Sequence, residues 1–478
     1  MGRALLSLLV LAACTPSVAG QQDAPITILQ DGTNGPDPND GARSGTRLKL
    51  TWYQLADGTR QWDGFYDAQR KENCYIYDNW IDGKAYCTPD YDGSIVYSNA
   101  TCTTKVAEVY KNPTCPTQQP QPYTLEWNYT PCESQPAHLW TRGAKLTLAS
   151  YYYKSSDGTC GGPYTTSTSY DYYAIGTEVK TSDIVQVVLG TPVGEGRLLT
   201  RYWQSSDGMQ RQAVVHDTAF GDTCYPGATG CQPTARYVSY EENATCTTPK
   251  LSIPKTCAVP KFAVYYPNNA CYSDPGKYYV LGALTAGAPL YYYNGTTCTT
   301  QTPSTTSNYY KMGSALTLSP TTEVIGTEGQ RIQLVHYTNP EGLNYRSSTL
   351  YDAQKGAECY PTKLPDGTIR CVVYGGYVDT YYKDAMCTQT IDLVTLYTGG
   401  ASCAIPTPPK YARKYITPAP GSCTYNTAVY NVGGAYTTPV YENNGTCVVH
   451  PTADNKLYSL GSVVPLTDFI TASITIDP

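Results

Sequence analysis

Hydrophobic and polar residues follow one another in short runs along this chain, and no stretch shows a sustained helical period. The runs are five to eight residues long and are separated by Asp-Gly or Asn-Gly pairs, for example Asp57-Gly58 and Asp207-Gly208. Tyr, Thr and Val, which are frequent in the runs, favour strands. Asp-Gly or Asn-Gly between two such runs is the strongest local signal for a hairpin. The pattern predicts an all-β protein built from short meanders.

One order of motifs occurs three times along the chain. Each copy starts with an Arg in a strand-like run, continues through a hairpin signal, an Asp and two Cys, and then reaches an Asn/Asp-Ala-x-Cys-Thr turn. The Arg and Asp positions are Arg47 and Asp67, Arg197 and Asp217, and Arg331 and Asp352. Because all three copies keep them, we interpret these Asp residues as caps of turns and the Arg residues as their structural partners.

Eighteen of the nineteen cysteines form three sets of six, whose matching members are 135 to 152 residues apart. The repeated short spacing favours pairing in sequence order within each set, although six cysteines permit many other connectivities. The expected pairs are Cys74–Cys87, Cys102–Cys115, Cys132–Cys160, Cys224–Cys231, Cys246–Cys257, Cys271–Cys298, Cys359–Cys371, Cys387–Cys403 and Cys423–Cys447.

These motifs divide the chain into three tandem disulfide-stapled repeats, each with a front and a back half. Each of the six half-units is long enough for about four strands but too small to bury a face alone, so neighbours must stack. We expect a six-bladed β-propeller closed by 474–476 or 26–29, and an open array of β-sandwiches is the alternative. The predicted segments are a signal peptide at 1–13, a flexible tether at 14–45, and repeats at 46–190, 191–325 and 326–478.

The remaining cysteine, Cys14, follows a short apolar stretch that begins after Arg3. This stretch is typical of a signal peptide and is too short to span a bilayer as a helix. Leu11-Ala12-Ala13-Cys14 resembles a bacterial lipobox, which implies acylation of Cys14, with palmitate as a typical chain, and stable membrane anchoring. Thr15 after the cysteine implies the outer membrane, on its periplasmic or cell-surface side. Ordinary secretion, with cleavage before Gln21, is the alternative.

The motif order behind a lipobox is similar to that of uncharacterised, cysteine-paired repeat lipoproteins of predatory, myxobacteria-like Gram-negative bacteria. The resemblance covers residues 46–478. It implies no established activity, cofactor or catalytic residue.

Charge and cysteine content narrow the compartment and the partners. The formal net charge is −6 and no basic patch occurs, so we exclude nucleic acid as a partner. The cysteine density together with the export signal indicates an oxidising compartment. The expected partners are therefore the membrane, through the lipid anchor, and glycans or cell-surface proteins.

The usual signatures of chemistry are missing. There is no His-Glu-x-x-His, Gly-x-Ser-x-Gly, phosphate-binding Gly-rich loop or Cys-x-x-Cys, so we predict no catalytic residue, cofactor or metal. The histidines occupy non-equivalent positions: His138, His216, His336 and His450. The acidic stretch around Asp37, Asn39 and Asp40 is interpreted as linker, because Ala42 stands where a calcium loop of the EF-hand type needs glycine.

Differences between the repeats offer the better functional clue. Five of the six tryptophans lie in the first repeat: Trp52, Trp62, Trp80, Trp127 and Trp140. Exposed aromatic rings bind sugars and peptides, so these residues are the candidate ligand-binding set, with core packing as the alternative. The leading hypothesis is a non-enzymatic surface protein with a structural or adhesive role. The second is an exported glycan hydrolase that uses Glu126 or Glu133 as acid or base.

Overall fold

The computed structural model describes residues 27–28, 41–111, 119–130, 132–155, 158–267, 275–294, 297–326, 331–397, 403, 407–416, 426–443, 445–451 and 455–478. Strands dominate these residues, which contain no α-helix and only two single-turn 3-10 helices, Thr181–Asp183 and Leu466–Asp468. None of the helices in this part of the chain has the length and apolar character needed to cross a membrane. The all-β prediction is confirmed.

The described residues form thirty-eight strands, which are numbered in chain order. A first short strand, β1 (Thr27–Ile28), precedes the repeats. Repeat 1 contains β2 (Leu48–Leu55), β3 (Arg60–Asp67), β4 (Glu72–Tyr77), β5 (Ala85–Pro89), β6 (Ser94–Tyr97), β7 (Lys105–Tyr110), β8 (Tyr123–Tyr129), β9 (Ser134–Leu146), β10 (Ser150–Lys154), β11 (Cys160–Thr165), β12 (Tyr170–Val179) and β13 (Val185–Leu189). Repeat 2 contains β14 (Leu198–Ser205), β15 (Gln210–Asp217), β16 (Asp222–Tyr225), β17 (Gln232–Pro233), β18 (Arg236–Tyr237), β19 (Tyr240–Glu241), β20 (Pro249–Pro254), β21 (Phe262–Tyr265), β22 (Lys277–Thr285), β23 (Tyr291–Tyr293), β24 (Cys298–Thr300), β25 (Ser307–Ala315) and β26 (Thr322–Ile325). Repeat 3 contains β27 (Ile332–Thr338), β28 (Asn344–Asp352), β29 (Ala357–Lys363), β30 (Ile369–Val373), β31 (Gly376–Tyr382), β32 (Thr390–Tyr397), β33 (Tyr411–Ile416), β34 (Asn426–Tyr436), β35 (Tyr441–Asn443), β36 (Cys447–Val449), β37 (Asn455–Val464) and β38 (Thr471–Ile476).

The front halves of all three repeats share one sixteen-stranded sheet. Its order is β17-β16-β15-β14-β13-β5-β4-β3-β2-β38-β30-β29-β28-β27-β26, with β1 parallel to β38. The strand that ends each repeat links it to a neighbour: β13 pairs with β5 and β14, β26 pairs with β27, and β38 pairs with β30 and β2. The two ends of the sheet are joined where the Cys231 N–H donates to the Ser319 carbonyl over 3.0 Å, shortly before β26. We call this closed arrangement the central ring.

Acidic residues at the tips of the front hairpins connect neighbouring repeats around the ring. Asp207 of repeat 2 accepts the backbone N–H of Leu48 in repeat 1, at 2.7 Å. Asp57 of repeat 1 accepts the N–H of Ile332 in repeat 3, at 2.6 Å. Glu341 of repeat 3 accepts the N–H of Arg197 in repeat 2, also at 2.6 Å. The three contacts run in one direction, so each repeat both gives and receives one.

Each back half forms a sheet of its own that curls towards a small barrel. In repeat 3, β31, β32, β37, β34 and β33 pair in succession, and β33 returns to β31 as a parallel pair. Repeat 2 splits the first strand into β18 and β19, and β18 again pairs in parallel with β21. In repeat 1 the corresponding contact is the hydrogen bond from the Asp92 N–H to the Tyr123 carbonyl, at 3.2 Å. We call this closing position the seam of each back half.

The expected six-bladed β-propeller is not what the described strands form. A propeller requires each half-unit to keep its own four-stranded sheet, whereas β13, β26 and β38 carry the three front halves into one sheet. The back halves form sheets of seven, eight and seven strands. An open array of sandwiches is excluded as well, because β38 returns to β2 and closes the ring, as one of the two proposed closing segments.

The disulfides follow the expected pairing only in the front halves. Cys74–Cys87, Cys224–Cys231 and Cys359–Cys371 are confirmed. The other sequence-order pairs are wrong, because the back-half turns carry Cys102, Cys246 and Cys387 to partners 58, 52 and 60 residues away: Cys102–Cys160, Cys246–Cys298 and Cys387–Cys447. Cys132 of repeat 1 is joined to Cys257 of repeat 2, so the bridges are not confined to single repeats. Cys14, Cys115, Cys271 and Cys423 lie outside the described residues.

The repeated Arg–Asp pairs have the structural role that their repetition predicted. Arg331 donates to both carboxylate oxygens of Asp352, with the shortest distance at 2.6 Å. Asp352 is fully buried and also accepts the backbone N–H groups of Gln354 and Lys355, which caps the turn. The same arrangement joins Arg47 to Asp67 and Arg197 to Asp217.

The end of the predicted tether packs on the ring. Arg43 forms a backbone pair with Gln210 in repeat 2, and Ala42 is buried among the hydrophobic residues of repeat 1. Residues 41–45 are therefore part of the folded protein. The acidic stretch of Asp37, Asn39 and Asp40 lies outside the described residues.

Candidate functional site

The five tryptophans of repeat 1 do not form one exposed surface. Trp52 and Trp80 are buried, and Trp62, Trp127 and Trp140 are half-buried. Trp52 and Trp62 face each other across β2 and β3 in the central ring, whereas Trp80 and Trp127 pack in another hydrophobic cluster. Because Trp52 and Trp80 are buried, they cannot act as ligand platforms. The remaining tryptophans lie in different parts of the fold.

Glu126 and Glu133 do not have the arrangement of a glycosidase pair. Glu126 Oε2 accepts from Lys105 Nζ at 2.7 Å and from Trp140 Nε1 at 2.8 Å, so its charge is neutralised locally. Glu133 lies in the turn after β8 and accepts from Asn79 at 2.6 Å. The two residues are about four strand positions apart along the hairpin, which corresponds to roughly 13 Å of backbone, and their carboxylates have different partners.

The histidines are also distributed over the fold. His450 is buried, its Nδ1 forms a 3.1 Å hydrogen bond with Glu442, and its ring packs on that of Tyr381. His138 pairs with Glu178 on the surface of repeat 1. Among the described residues, no group of three or more His, Cys, Asp or Glu side chains has the geometry of a metal site.

The seams of the back halves carry exposed, stacked tyrosines. In repeat 2, Tyr237 on β18 stacks on Tyr266, just after β21, with ring centroids 5.9 Å apart and planes 19° apart. In repeat 3, Tyr377 on β31 stacks on Tyr415 of β33 at 6.3 Å and 28°. The register is the same in both, because Tyr237 pairs with Val264 and Tyr377 with Arg413, each two residues before the second tyrosine.

These four residues, the seam tyrosines, are exposed by 44% to 65%. The parallel pair places both rings of each stack at the strand edge, where they are partly exposed to solvent. Burial and the neighbouring Tyr237 raise the pKa of Tyr266, and a hydrogen bond with Tyr374 followed by burial raises that of Tyr377. The phenols of Tyr266 and Tyr377 therefore stay neutral at physiological pH.

Repeat 1 has an aromatic cluster at its own seam, with a different composition. Tyr77 contacts the rings of both Tyr91 and Trp127, at 5.9 and 6.0 Å. Tyr91 directly precedes Asp92, whose N–H makes the closing hydrogen bond of this seam. The Tyr91 hydroxyl donates to the Tyr77 hydroxyl at 3.0 Å. Trp127 occupies the position of Tyr266 and Tyr415, counted from the strand that starts at Tyr123. Of the predicted tryptophans, Trp127 is thus the one that lies at a repeated aromatic position.

A flat ring with a polar edge suits ligands that present both an apolar face and hydroxyl groups. Sugar rings have this character, since their C–H faces stack on aromatic rings while their hydroxyls form hydrogen bonds. Aromatic clusters at all three seams provide separate contacts on one protein, which favours binding to a repetitive polymer through avidity.

Sequence reasoning missed the seam tyrosines because the chain contains 47 tyrosines, most of which lie in strand-like runs. A local signal does exist: a Tyr lies four residues after the first residue of β33, and the aligned positions of repeats 1 and 2 are also aromatic. That signal gains meaning only once β18 and β31 are known to pair with β21 and β33.

Comparison with known proteins gives a family but no activity. No curated protein and no solved structure matches the chain. A family model described as a family of unknown function, DUF7481, matches residues 30–469, which is nearly all of the repeat region and most of the chain. The chain therefore belongs to the DUF7481 family.

Proposed function

We propose that this protein is exported and lipid-anchored at the cell surface, where it has an adhesive role and binds glycan polymers without catalysis. Seven disulfides join described cysteines, which supports folding in an oxidising compartment. The anchor is the acylated Cys14, which lies outside the described residues.

The observation that carries the binding role is the repetition of exposed aromatic stacks at the seams. The two tyrosine stacks, Tyr237–Tyr266 and Tyr377–Tyr415, have the same register in their repeats. Their neighbours nevertheless differ, because Tyr237 lies opposite Val264 and Tyr377 lies opposite Arg413. Exposed, stacked rings contribute little to a core, since they remain largely in solvent. Repeated exposure of large aromatic side chains is typical of binding surfaces.

Glycan binding is tested by affinity electrophoresis and isothermal titration against soluble cell-wall polymers and plant, fungal and bacterial polysaccharides. The variant is Tyr237→Ala with Tyr377→Ala, and the matched control is Tyr225→Ala, a similarly exposed tyrosine on β16 of the central ring. Binding to at least one polymer that falls at least about tenfold in the double variant, but not in the control, is expected if the two sites act together. Absence of binding across the panel, or equal binding by both variants, would refute the glycan role.

The anchor is tested separately. Expression in a Gram-negative host should place the wild-type protein in the membrane fraction, and Cys14→Ser should release it. A mature chain that begins at Gln21 without an acyl group would show that the protein is secreted rather than anchored.

A further inference from the structure

The outer hairpin of repeat 1, formed by β10 and β11, carries tyrosines that contact one another. Tyr151 and Tyr153 lie on β10, and Tyr164 lies on β11. Their ring centroids are 5.2 to 5.7 Å apart, so the three rings form one continuous aromatic surface. Tyr153 is 41% exposed and Tyr164 is 47% exposed. We call these three residues the hairpin tyrosines.

A buried carboxylate lies next to this surface. Glu108 on β7 is 5% exposed, and its two oxygens accept hydrogen bonds from the Tyr153 and Tyr172 hydroxyls, each at 3.1 Å. Tyr172 in turn packs against Tyr151, with ring centroids 5.9 Å apart. Because the Tyr153 hydroxyl is turned inwards to Glu108, the exposed surface of this side chain belongs largely to its ring. One hydrogen bond therefore joins the buried carboxylate to an exposed aromatic ring.

Glu108 has no cationic partner in the described part of the chain. Lys111, three residues further along, and Lys145 on β9 both pair with Asp171 instead. The only basic residue outside the described part is Arg3, in the predicted signal peptide. Burying a carboxylate is costly unless a cation compensates it. The negative charge of Glu108 is therefore available to a cation from outside the protein.

The charge of Glu108 acts on the surface through the phenols. Burial, followed by the negative charge of Glu108, raises the pKa of Tyr153. Burial and the hydrogen bond with Glu108 raise the pKa of Tyr172 to about 12. A phenol that donates to a carboxylate has a more electron-rich ring, and the face of such a ring attracts cations more strongly. Among the described Lys and Arg side chains, those that stack on rings in this back half use other rings than the hairpin tyrosines.

Repeat 1 alone holds a carboxylate at this position. Glu108 is the sixth residue after the cysteine of the repeated turn, and the same position holds Ser252 in repeat 2 and Leu393 in repeat 3. Tyr153 corresponds to Tyr292 of repeat 2, because the preceding residue makes the equivalent strand pairing in both repeats. A buried carboxylate is therefore not needed to build a back half, which favours a role in binding.

We propose that the hairpin tyrosines and Glu108 bind a quaternary ammonium group of the choline type. Aromatic surfaces recognise such groups through the attraction between the cation and the ring faces. A methylated ammonium has no N–H group that needs an acceptor, and its methyl groups pack on exposed rings. A primary ammonium would give up hydrogen bonds with water, whereas the oxygens of Glu108 are buried and already accept from phenols. The site is separate from the seam tyrosines and does not depend on glycan binding.

Isothermal titration of the full chain with choline chloride, at constant ionic strength, tests the proposal. The wild type should bind choline saturably. The neutral isostere of choline, in which a tert-butyl group replaces the trimethylammonium group, should bind at least about fivefold more weakly, because it lacks the charge. Competition by phosphocholine would support a lipid or glycan head group as the source of the ligand, and choline binding without such competition would support a free solute.

Variants place the binding at the hairpin. Glu108→Gln keeps an oxygen acceptor for the phenols but removes the charge, so it should weaken choline binding at least about fivefold. Tyr164→Ala removes an exposed ring and should weaken choline binding by a similar factor, which keeps the test valid if the buried substitution prevents folding. The matched control is Tyr292→Ala, which removes an equally exposed ring beside Ser252 and should bind choline like the wild type. Circular dichroism and thermal unfolding show which variants are folded.

Several results would overturn the proposal. They are a wild type that does not bind choline, equal binding of the neutral isostere, and wild-type affinity in the folded Glu108→Gln or Tyr164→Ala variant. Tighter binding of ethanolamine than of choline would overturn it as well, because the site would then select primary amines.

Discussion

Asp207 in repeat 2 accepts a 2.7 Å hydrogen bond from the backbone N–H of Leu48 in repeat 1. The same carboxylate oxygen accepts the N–H of Arg47 at 2.6 Å, so one side chain holds the start of a strand that belongs to another repeat. Hydrogen bonds to an ionised acceptor are stronger than those between neutral groups. The first strand of each front half is thus held by the hairpin tip of a neighbouring repeat.

Replacing Asp207 by Ala should lower the free energy of unfolding by about 2 kcal/mol at pH 7, because two backbone donors between repeats lose an ionised acceptor. Denaturant unfolding followed by far-UV circular dichroism measures the change. The matched control is Asp366→Ala, another hairpin-tip acid, whose hydrogen bonds go to Thr368 in its own turn. An equal loss in the two variants would argue against a role between repeats.

The effect of Asp207 should depend on pH. Burial disfavours its ionised form, but hydrogen bonds from the Ser205 hydroxyl and the Leu48 and Arg47 N–H groups outweigh burial and lower its pKa. A carboxyl whose folded pKa is depressed stabilises the folded state above its unfolded pKa, and this contribution disappears as the pH falls through the folded value. The stability difference between wild type and Asp207→Asn should therefore shrink below about pH 3.9. A difference that stays constant down to pH 2 would contradict this.

The buried Arg331–Asp352 pair should be far more sensitive than a surface pair. Asp352→Asn leaves the Arg331 guanidinium without its charged partner and weakens the cap of the following turn, so a loss of about 3 kcal/mol is expected. Asp392→Asn, which breaks the partly exposed pair with Lys414, should cost less than about 1 kcal/mol. Thermal and denaturant unfolding of both variants would check this order, and a reversed order would disprove it.

The Cys132–Cys257 disulfide should be found by peptide mapping of the unreduced protein. It closes a loop of 125 residues between repeats 1 and 2, so Cys132→Ser with Cys257→Ser should lower stability by about 3–5 kcal/mol. Peptides that join Cys132 to a cysteine of repeat 1 would show that this bond is not formed.

The same mapping should extend the rule around the ring. Cys132 is the fifth cysteine of its set and Cys257 the fourth of the next set. Cys403, the fourth cysteine of repeat 3, is also disulfide-bonded. Applied to the sequence, the rule predicts that Cys403 pairs with Cys271 and that Cys115 pairs with Cys423. Any other partner for Cys403 would break the threefold pattern.

Asp90 should make the protein less stable as the pH rises. Burial, with smaller contributions from the negative charges of Glu72 and Asp63, raises the pKa of Asp90 to about 6. Because the folded state holds this proton more tightly than the unfolded chain, stability should fall between about pH 4 and the folded pKa. Asp90→Asn should be more stable than wild type at pH 7, by about 1–2 kcal/mol, and equal to it at pH 3. Unfolding curves across this range would refute the prediction if the variant were never more stable.

The sequence predicted those features that depend on neighbours along the chain. The Asp-Gly hairpins, the Arg–Asp pairs and the Cys74–Cys87 type of bridge all join residues within about twenty positions. The ring depends instead on β38 pairing with β2, where Trp52 meets Thr475. Nothing local in either strand identifies the other, since many alternating strands of the chain would pair equally well. The nearest-neighbour rule for disulfides held in the front halves and failed in the back halves for the same reason, because folding of the back halves brings distant cysteines together.

From the sequence, only the class of side chain at the proposed site could be predicted. The sequence pointed to aromatic residues, the class that the proposed site also uses, but tryptophan was favoured over tyrosine because it is rare here and concentrated in repeat 1. Trp52 is a core residue of the central ring and Trp80 is a core residue of a separate cluster in repeat 1, whereas the seam tyrosines Tyr237 and Tyr377 remain in solvent. Exposure is a property of the closed back half, and no periodicity in the sequence distinguishes these residues from the other tyrosines.

The position of β38 also determines when the molecule can finish folding. Because this strand follows all three repeats in the chain and lies between β2 and β30, a ribosome must release nearly the whole polypeptide before the ring closes. Until then β2 and β30 each present an unpaired edge, and such edges recruit strands from other chains. Chains that stop before Thr471 should consequently accumulate as aggregates, and folding of this protein should depend on factors that shield strand edges during and after synthesis.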